Sequence, residues 1–136
     1  MKSSNLLCIL AASLYLVAMA TIGLAGCVGP MISLGVSEGS AGDKVYISGV
    51  YFTDGCHDVC INGVCPPTFP AKGIKILFVQ GNNTTVIARV DANDRFEFTI
   101  PANIPATAAS GEAFLVAETL YENRLFRTKP VSFKVK

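Results

Sequence analysis

Arg95-Phe96-Glu97-Phe98-Thr99-Ile100 alternates polar and large apolar residues at every step. A period of two puts Phe96, Phe98 and Ile100 on one face of an extended strand and Arg95, Glu97 and Thr99 on the other. Such a strand is buried on one side and wet on the other, so it needs a second layer to cover it. Similar signals lie on both sides of it. Upstream, Thr84–Val90 alternates Val86, Ala88 and Val90 against Ile87 and Arg89, and Ile74–Gln80 is a near-continuous apolar run that suits a central strand. Downstream, Glu112–Glu118 gives another strand, and Arg124–Arg127 with Val131–Val135 gives a closing pair.

Nearer the N-terminus, Met31–Val36 and Asp43–Gly49 read as strands separated by a Gly/Ser turn at Glu38–Gly42. Pro101 and Pro105 are expected to keep the Ala-rich segment after Ile100 out of any sheet, because proline donates nothing to a ladder. No segment after Cys27 carries helical periodicity with caps. Short strands broken by Gly, Pro, Asn and Asp imply an all-β, seven-stranded sandwich of the immunoglobulin type. The expected core is Val45, Ile47, Ile76, Phe78, Phe96, Phe98, Leu115 and Phe133.

The first part of the chain has a different composition. Lys2 is followed by an apolar run from Leu6 to Ala25 and then by Leu24-Ala25-Gly26-Cys27. Those last four residues resemble the lipobox that ends the signal peptide of bacterial lipoproteins. The resemblance implies that Cys27 is lipidated on sulfur, that cleavage removes residues 1–26, and that the mature protein is extracytoplasmic and anchored to a membrane. The run is also long enough to span a bilayer uncleaved, and either way the positive start keeps the N-terminus inside and the domain outside. Residues 27–30 make a very short tether, so a domain at 31–136 sits close to the headgroups. Alternatively, Met31–Ser40 is itself loose and acts as the tether.

A second resemblance concerns that domain. Gly39-Ser40-Ala41-Gly42-Asp43 leading into Lys44–Gly49, with Tyr51 and Phe52 beyond, is similar to the opening of the IPT/TIG class of bacterial Ig-like domains. The Asp91–Ile100 segment and the Gly111–Ala117 strand fit the same class. The resemblance implies binding, adhesion or spacer roles and provides no catalytic residues. The chain departs from the class between Thr53 and Gly73, where a long cysteine-containing segment replaces a short connection.

The charge balance narrows the possible partners. The chain has 11 Lys and Arg against 10 Asp and Glu, and Lys2 is the only charge in the leader. A balanced domain lacks the basic stripe that nucleic acid demands. The cluster Arg124, Arg127, Lys129, Lys134 and Lys136 reads as a solvated edge strand. His57 is the only histidine, and no phosphate-binding glycine loop or paired-carboxylate set appears. Asp91-Ala92-Asn93-Asp94 lacks the Gly and closing Glu of a calcium loop and reads as a turn. The expectation is a non-enzyme without a cofactor, meeting an unidentified protein or glycan ligand of the envelope.

The segment 53–73 is the candidate site. It holds Cys56, His57, Cys60 and Cys65, flanked by Tyr51, Phe52 and Phe69, which are expected to offer aromatic anchors to a partner. In Cys60-Ile61-Asn62-Gly63-Val64-Cys65, Asn-Gly is the strongest two-residue hairpin signal. Ile61 and Val64 then form a hydrogen-bonded pair, with Cys60 and Cys65 opposite each other at disulfide distance. Cys56–Cys65 is the alternative bridge. With Cys8 in the leader and Cys27 assigned to lipid, three cysteines remain in the mature chain and one thiol is left over. The rival reading is a metal- or thiol-handling site of Cys56, His57, Cys60 and Cys65; an oxidising compartment and unusual spacing weigh against it.

Overall fold

The computed structural model describes residues 27–136, and the signal peptide expected at 1–26 lies outside the described residues. The described chain is all-β. Its strands are β1 (Met31–Leu34), β2 (Glu38–Gly39), β3 (Lys44–Val50), β4 (Ile74–Gln80), β5 (Asn83–Val90), β6 (Phe98–Asn103), β7 (Gly111–Tyr121), β8 (Arg124–Arg127) and β9 (Val131–Val135). Among the described residues no helix is long and apolar enough to cross a membrane.

Two sheets form. One has the order β1-β3-β6, and the other runs β2-β9-β7-β4-β5 with β8 attached to β7. All pairings are antiparallel except that of β2 with β9. Both sheets contribute to one hydrophobic core. Ile32, Val45, Ile47, Phe98 and Ala102 from the smaller sheet pack with Ile74, Ile76, Phe78, Ala113, Leu115, Ala117, Phe133 and Val135 from the larger. The alternation along β3 and β9 places these side chains inward, as a period of two requires.

The structure differs from the sequence expectation at several points. Nine strands are described where seven were expected. Phe96 is not a strand residue. It turns at φ 63°, and Phe98 begins β6. Asn93 causes this, because its side-chain Oδ1 accepts the backbone N–H of both Arg95 and Glu97 and draws the segment into a tight turn. Phe96 is therefore half-buried, whereas the other expected core residues are buried.

Pro101 belongs to the sheet after all, opposite Tyr46. It is tolerated because β6 lies at the edge of its sheet and its outer side has no ladder to supply. A bulge in the β4–β5 pairing at Ile76/Leu77 pairs Ala88 with Ile76 but Val86 with Leu77. The extra residue, Ile87, reverses the alternation, so Val86 faces outward. The C-terminal basic residues are not simply a solvated edge. Arg127 pairs with Glu118, and Lys136 pairs with Glu38.

The strand directions define two ends. At one end lie residue 27, the segment after β3, the turn before β6 and the β7–β8 turn. At the other lie Ser40–Asp43, the Gly81–Asn82 turn and the connection from Ile104 to Ser110, where the Gln80 side chain bonds Ala109 through both its oxygen and its nitrogen.

The cysteine end as candidate functional site

The segment after β3 is tied down at its base. Phe52 is fully buried, and its backbone accepts the N–H of Ala71, whose own carbonyl accepts that of Ala92. Thr53 and Pro70 form an isolated antiparallel bridge. Asp54 organises the next layer. Its backbone N–H donates to the Phe69 carbonyl and its carbonyl accepts the Glu122 N–H, while its Oδ1 accepts the Phe69 N–H at 2.9 Å and faces His57 Nε2 at 3.2 Å. His57 is therefore a structural partner of Asp54 and stands over the loop base. Gly55 fits beneath it because a Cβ there would meet Glu122 Cγ at 2.9 Å.

Beyond this base the chain forms the expected hairpin. Ile61 and Val64 exchange both backbone hydrogen bonds, at 2.9 and 3.0 Å. Asn62 and Gly63 take φ 53° and 77°, the two positive values of a type I′ turn. Cys60 and Cys65 are joined by a disulfide, with Cα atoms 4.1 Å apart. The Cys56–Cys65 pairing does not occur.

Cys56 instead bonds Cys27, with Cα atoms 5.8 Å apart. All four described cysteines are thus paired, and the thiol expected to be left over is absent among the described residues. The signal was available in the sequence, because counting Cys27 with Cys56, Cys60 and Cys65 makes an even number. The segment at 27–30 runs against the domain: Pro30 is buried and Gly29 lies beside the Phe126 ring. Phe126 in turn packs on Tyr121, ring centroids 5.7 Å apart. Burial, then the negative charges of Glu122 and Asp58, hold the Tyr121 hydroxyl above its ordinary range.

The aromatic trio is divided. Tyr51 and Phe69 are 48 % and 57 % exposed, but Phe52 is 0 % exposed and packs edge-on against Phe98. Phe52 is a core residue and presents nothing to a partner. The four residues considered as a metal set are likewise not gathered as ligands, since Cys60 and Cys65 are bonded to each other and His57 turns to Asp54. The donor atoms that do come together are those of Cys27, Cys56 and Asp58, within 4.8 Å of one another. With both sulfurs in a disulfide, this group offers a single carboxylate and no thiolate.

No protein-family model matches the chain, and no curated protein matches it in sequence.

Proposed function

We infer that the chain is an extracytoplasmic, membrane-anchored Ig-like module that binds or braces other envelope components and performs no catalysis. The observation that carries this reading is the position of Cys27. It is the last residue of the Leu24–Cys27 motif, and its bond to Cys56 puts it at one end of the domain, beside the cysteine segment. Two disulfides suit an oxidising compartment.

Sheet order supports the Ig-like assignment. β1-β3-β6 corresponds to the A-B-E sheet of such domains, and β9-β7-β4-β5 to their G-F-C-C′ sheet. Seven strands then account for the sandwich, with β1 and β2 as two halves of a first strand that changes sheet and β8 as an appendage of β7. The end away from Cys27 is the display end. It stands off by roughly the length of β4, which is about 23 Å at about 3.3 Å per residue.

One sulfur cannot carry both a thioether and a disulfide. Lipidation of Cys27 therefore leaves Cys56 as a free thiol, whereas a chain that keeps its apolar run as a membrane span keeps the Cys27–Cys56 bond. In both forms the chain meets the bilayer at the same end of the domain. Intact-mass measurement of the membrane-extracted protein, with and without alkylation, tests the lipid form. The expected product begins at Cys27, carries acylglycerol mass, and has one disulfide and one alkylatable thiol. A lipid-free product with Cys27 and Cys56 both oxidised overturns the lipid anchor.

The rival reading, a thiol- or metal-handling protein, was expected to use Cys56, His57, Cys60 and Cys65; the donor atoms that come together are instead those of Cys27, Cys56 and Asp58, with the two sulfurs bonded to each other. On reduction they become two thiolates and a carboxylate, a donor set suited to zinc. Its test is stoichiometric zinc retention by the reduced chain, lost in Asp58→Ala.

A further inference from the structure

The cysteine hairpin displays apolar side chains where a folded domain ordinarily hides them. Val59, Ile61 and Val64 are 72 %, 72 % and 71 % exposed. Ile61 and Val64 form a directly opposed pair, so they share one face of the hairpin, while Cys60 and Cys65 share the other. Val59, two residues before Ile61, is equally exposed. From Val59 to Ala71 the sequence contains no charged residue. Val28, beside Cys27, is also largely exposed.

The chain itself indicates what covers this face. In the uncleaved form the apolar run Leu6–Ala25 enters the domain at Cys27, which is bonded to Cys56, only three residues from Val59. In the lipidated form that bond is open, but the acyl chains sit on Cys27 itself, three residues before the buried Pro30, so the anchor lies at the hairpin's end of the domain in both forms. We propose that the hairpin at 59–65 is a second membrane contact, with Val59, Ile61 and Val64 seated in the interfacial layer of the bilayer next to the anchor. This rests on the membrane-anchored reading above.

The chemistry fits a shallow seat. Interfacial segments bury apolar side chains among headgroups and upper acyl chains while their polar backbone stays hydrated. The Ile61–Val64 hydrogen bonds already satisfy two amides and two carbonyls near the tip. The Cys60–Cys65 bond and the Asp54 base constrain the hairpin in the absence of lipid, so little conformational entropy is lost on insertion. Its role is to set the tilt of the domain, because two contacts fix an orientation that a single point of attachment leaves free.

The chain contains no tryptophan, so a single introduced one is an unambiguous reporter. The full chain carrying Ile61→Trp, or Val64→Trp as a second hairpin position, is reconstituted into phosphatidylcholine–phosphatidylglycerol vesicles. Val36→Trp, at an exposed site near the display end, is the comparison. Flotation first establishes that the protein is on the vesicles. The expected result is a blue-shifted emission at 61 and 64 that is lost when the acyl chains are brominated near the headgroup, with neither effect at 36. Floating protein whose three reporters behave alike overturns the hairpin contact and leaves the anchor standing. Protein that does not float overturns the anchored reading, and this inference with it.

Discussion

The Phe52 ring stands edge-on to that of Phe98, centroids 5.0 Å apart and planes at 63°, directly over the backbone of Gly49. A Cβ at Gly49 would fall inside van der Waals contact with both rings. The segment leaving β3 is therefore bolted into the core by an aromatic that sequence inspection assigns to the surface. Phe52→Ala is expected to cost about 3–5 kcal/mol, as for a large aromatic removed from a packed interior. Phe69→Ala, at an exposed position, should stay within about 0.5 kcal/mol. Urea melts with matched slopes check the pair, and similar losses for both would contradict the division of the trio.

Gly49→Ala tests the same contact from the other side. Overpacking typically costs about 1–3 kcal/mol, and this site has two rings to displace. Pairing it with Phe98→Leu should recover part of the loss, because a smaller side chain leaves room for the methyl group. A double variant no better than the sum of the two single ones would show that the rings are not what excludes a side chain there.

The two disulfides should differ in worth. Cys60–Cys65 spans five residues of sequence and Cys27–Cys56 spans 29. The chain-entropy relation gives about 2 kcal/mol for the first and about 3.5 kcal/mol for the second. Cys60→Ser with Cys65→Ser should therefore be the milder double variant in unlipidated, oxidised protein. The reverse order in thermal or urea denaturation would place the hairpin bridge in the structural core.

Glu118 gives the larger sheet a pH dependence. It lies on the sheet face opposite the core, almost fully buried, between Arg127, whose Nη2 donates to it at 2.8 Å, and Lys75, whose Nζ is at 3.3 Å. The Arg127 hydrogen bond, opposed in part by burial and reinforced by Lys75, holds the carboxyl below its ordinary value of 4.5. A depressed folded value stabilises the protein above the unfolded one, and that stability is lost as pH falls through the folded value. Glu118→Gln should thus cost about 1–2 kcal/mol at neutral pH, below the middle of the range for hydrogen bonds to charged groups because the Arg127 and Lys75 side chains are exposed to solvent. The gap from wild type should narrow steadily once pH drops below 4.5. A gap independent of pH would mean the carboxylate charge contributes nothing.

Cys27→Ser should abolish incorporation of a labelled fatty acid and leave the precursor uncut, since the resemblance at Leu24–Cys27 assigns both steps to that sulfur. Gel mobility after metabolic labelling reads both at once. Normal cleavage of the variant would sink the lipoprotein reading.

Strand positions were largely legible because burial on one face imposes a period of two, and Ile74–Gln80 is located to the residue. The Cys60–Cys65 hairpin was legible because Asn-Gly encodes its own turn. Four features were not. Phe96 alternates correctly with its neighbours, but Asn93 captures two amides that a strand would have used. The β5 bulge leaves no mark in composition, yet it reverses the facing of Val86. The Cys27–Cys56 bond was hidden because assigning Cys27 wholly to lipid removed it from the count. Phe52 follows an exposed tyrosine in a loop, and only the third dimension shows that it turns inward.

The Cys27–Cys56 bond also determines how the domain resists being pulled. β1 is held to β3 by the four pairs from Met31–Val50 to Leu34–Ile47, and tension applied at residue 27 enters the domain through β1. With the bond closed, residues 27 to 56 form a covalent ring that contains both strands, so tension divides between two backbones and β1 cannot be peeled from its neighbour. With the sulfur given to lipid the ring would be open, and tension entering at residue 27 would fall on β1 alone.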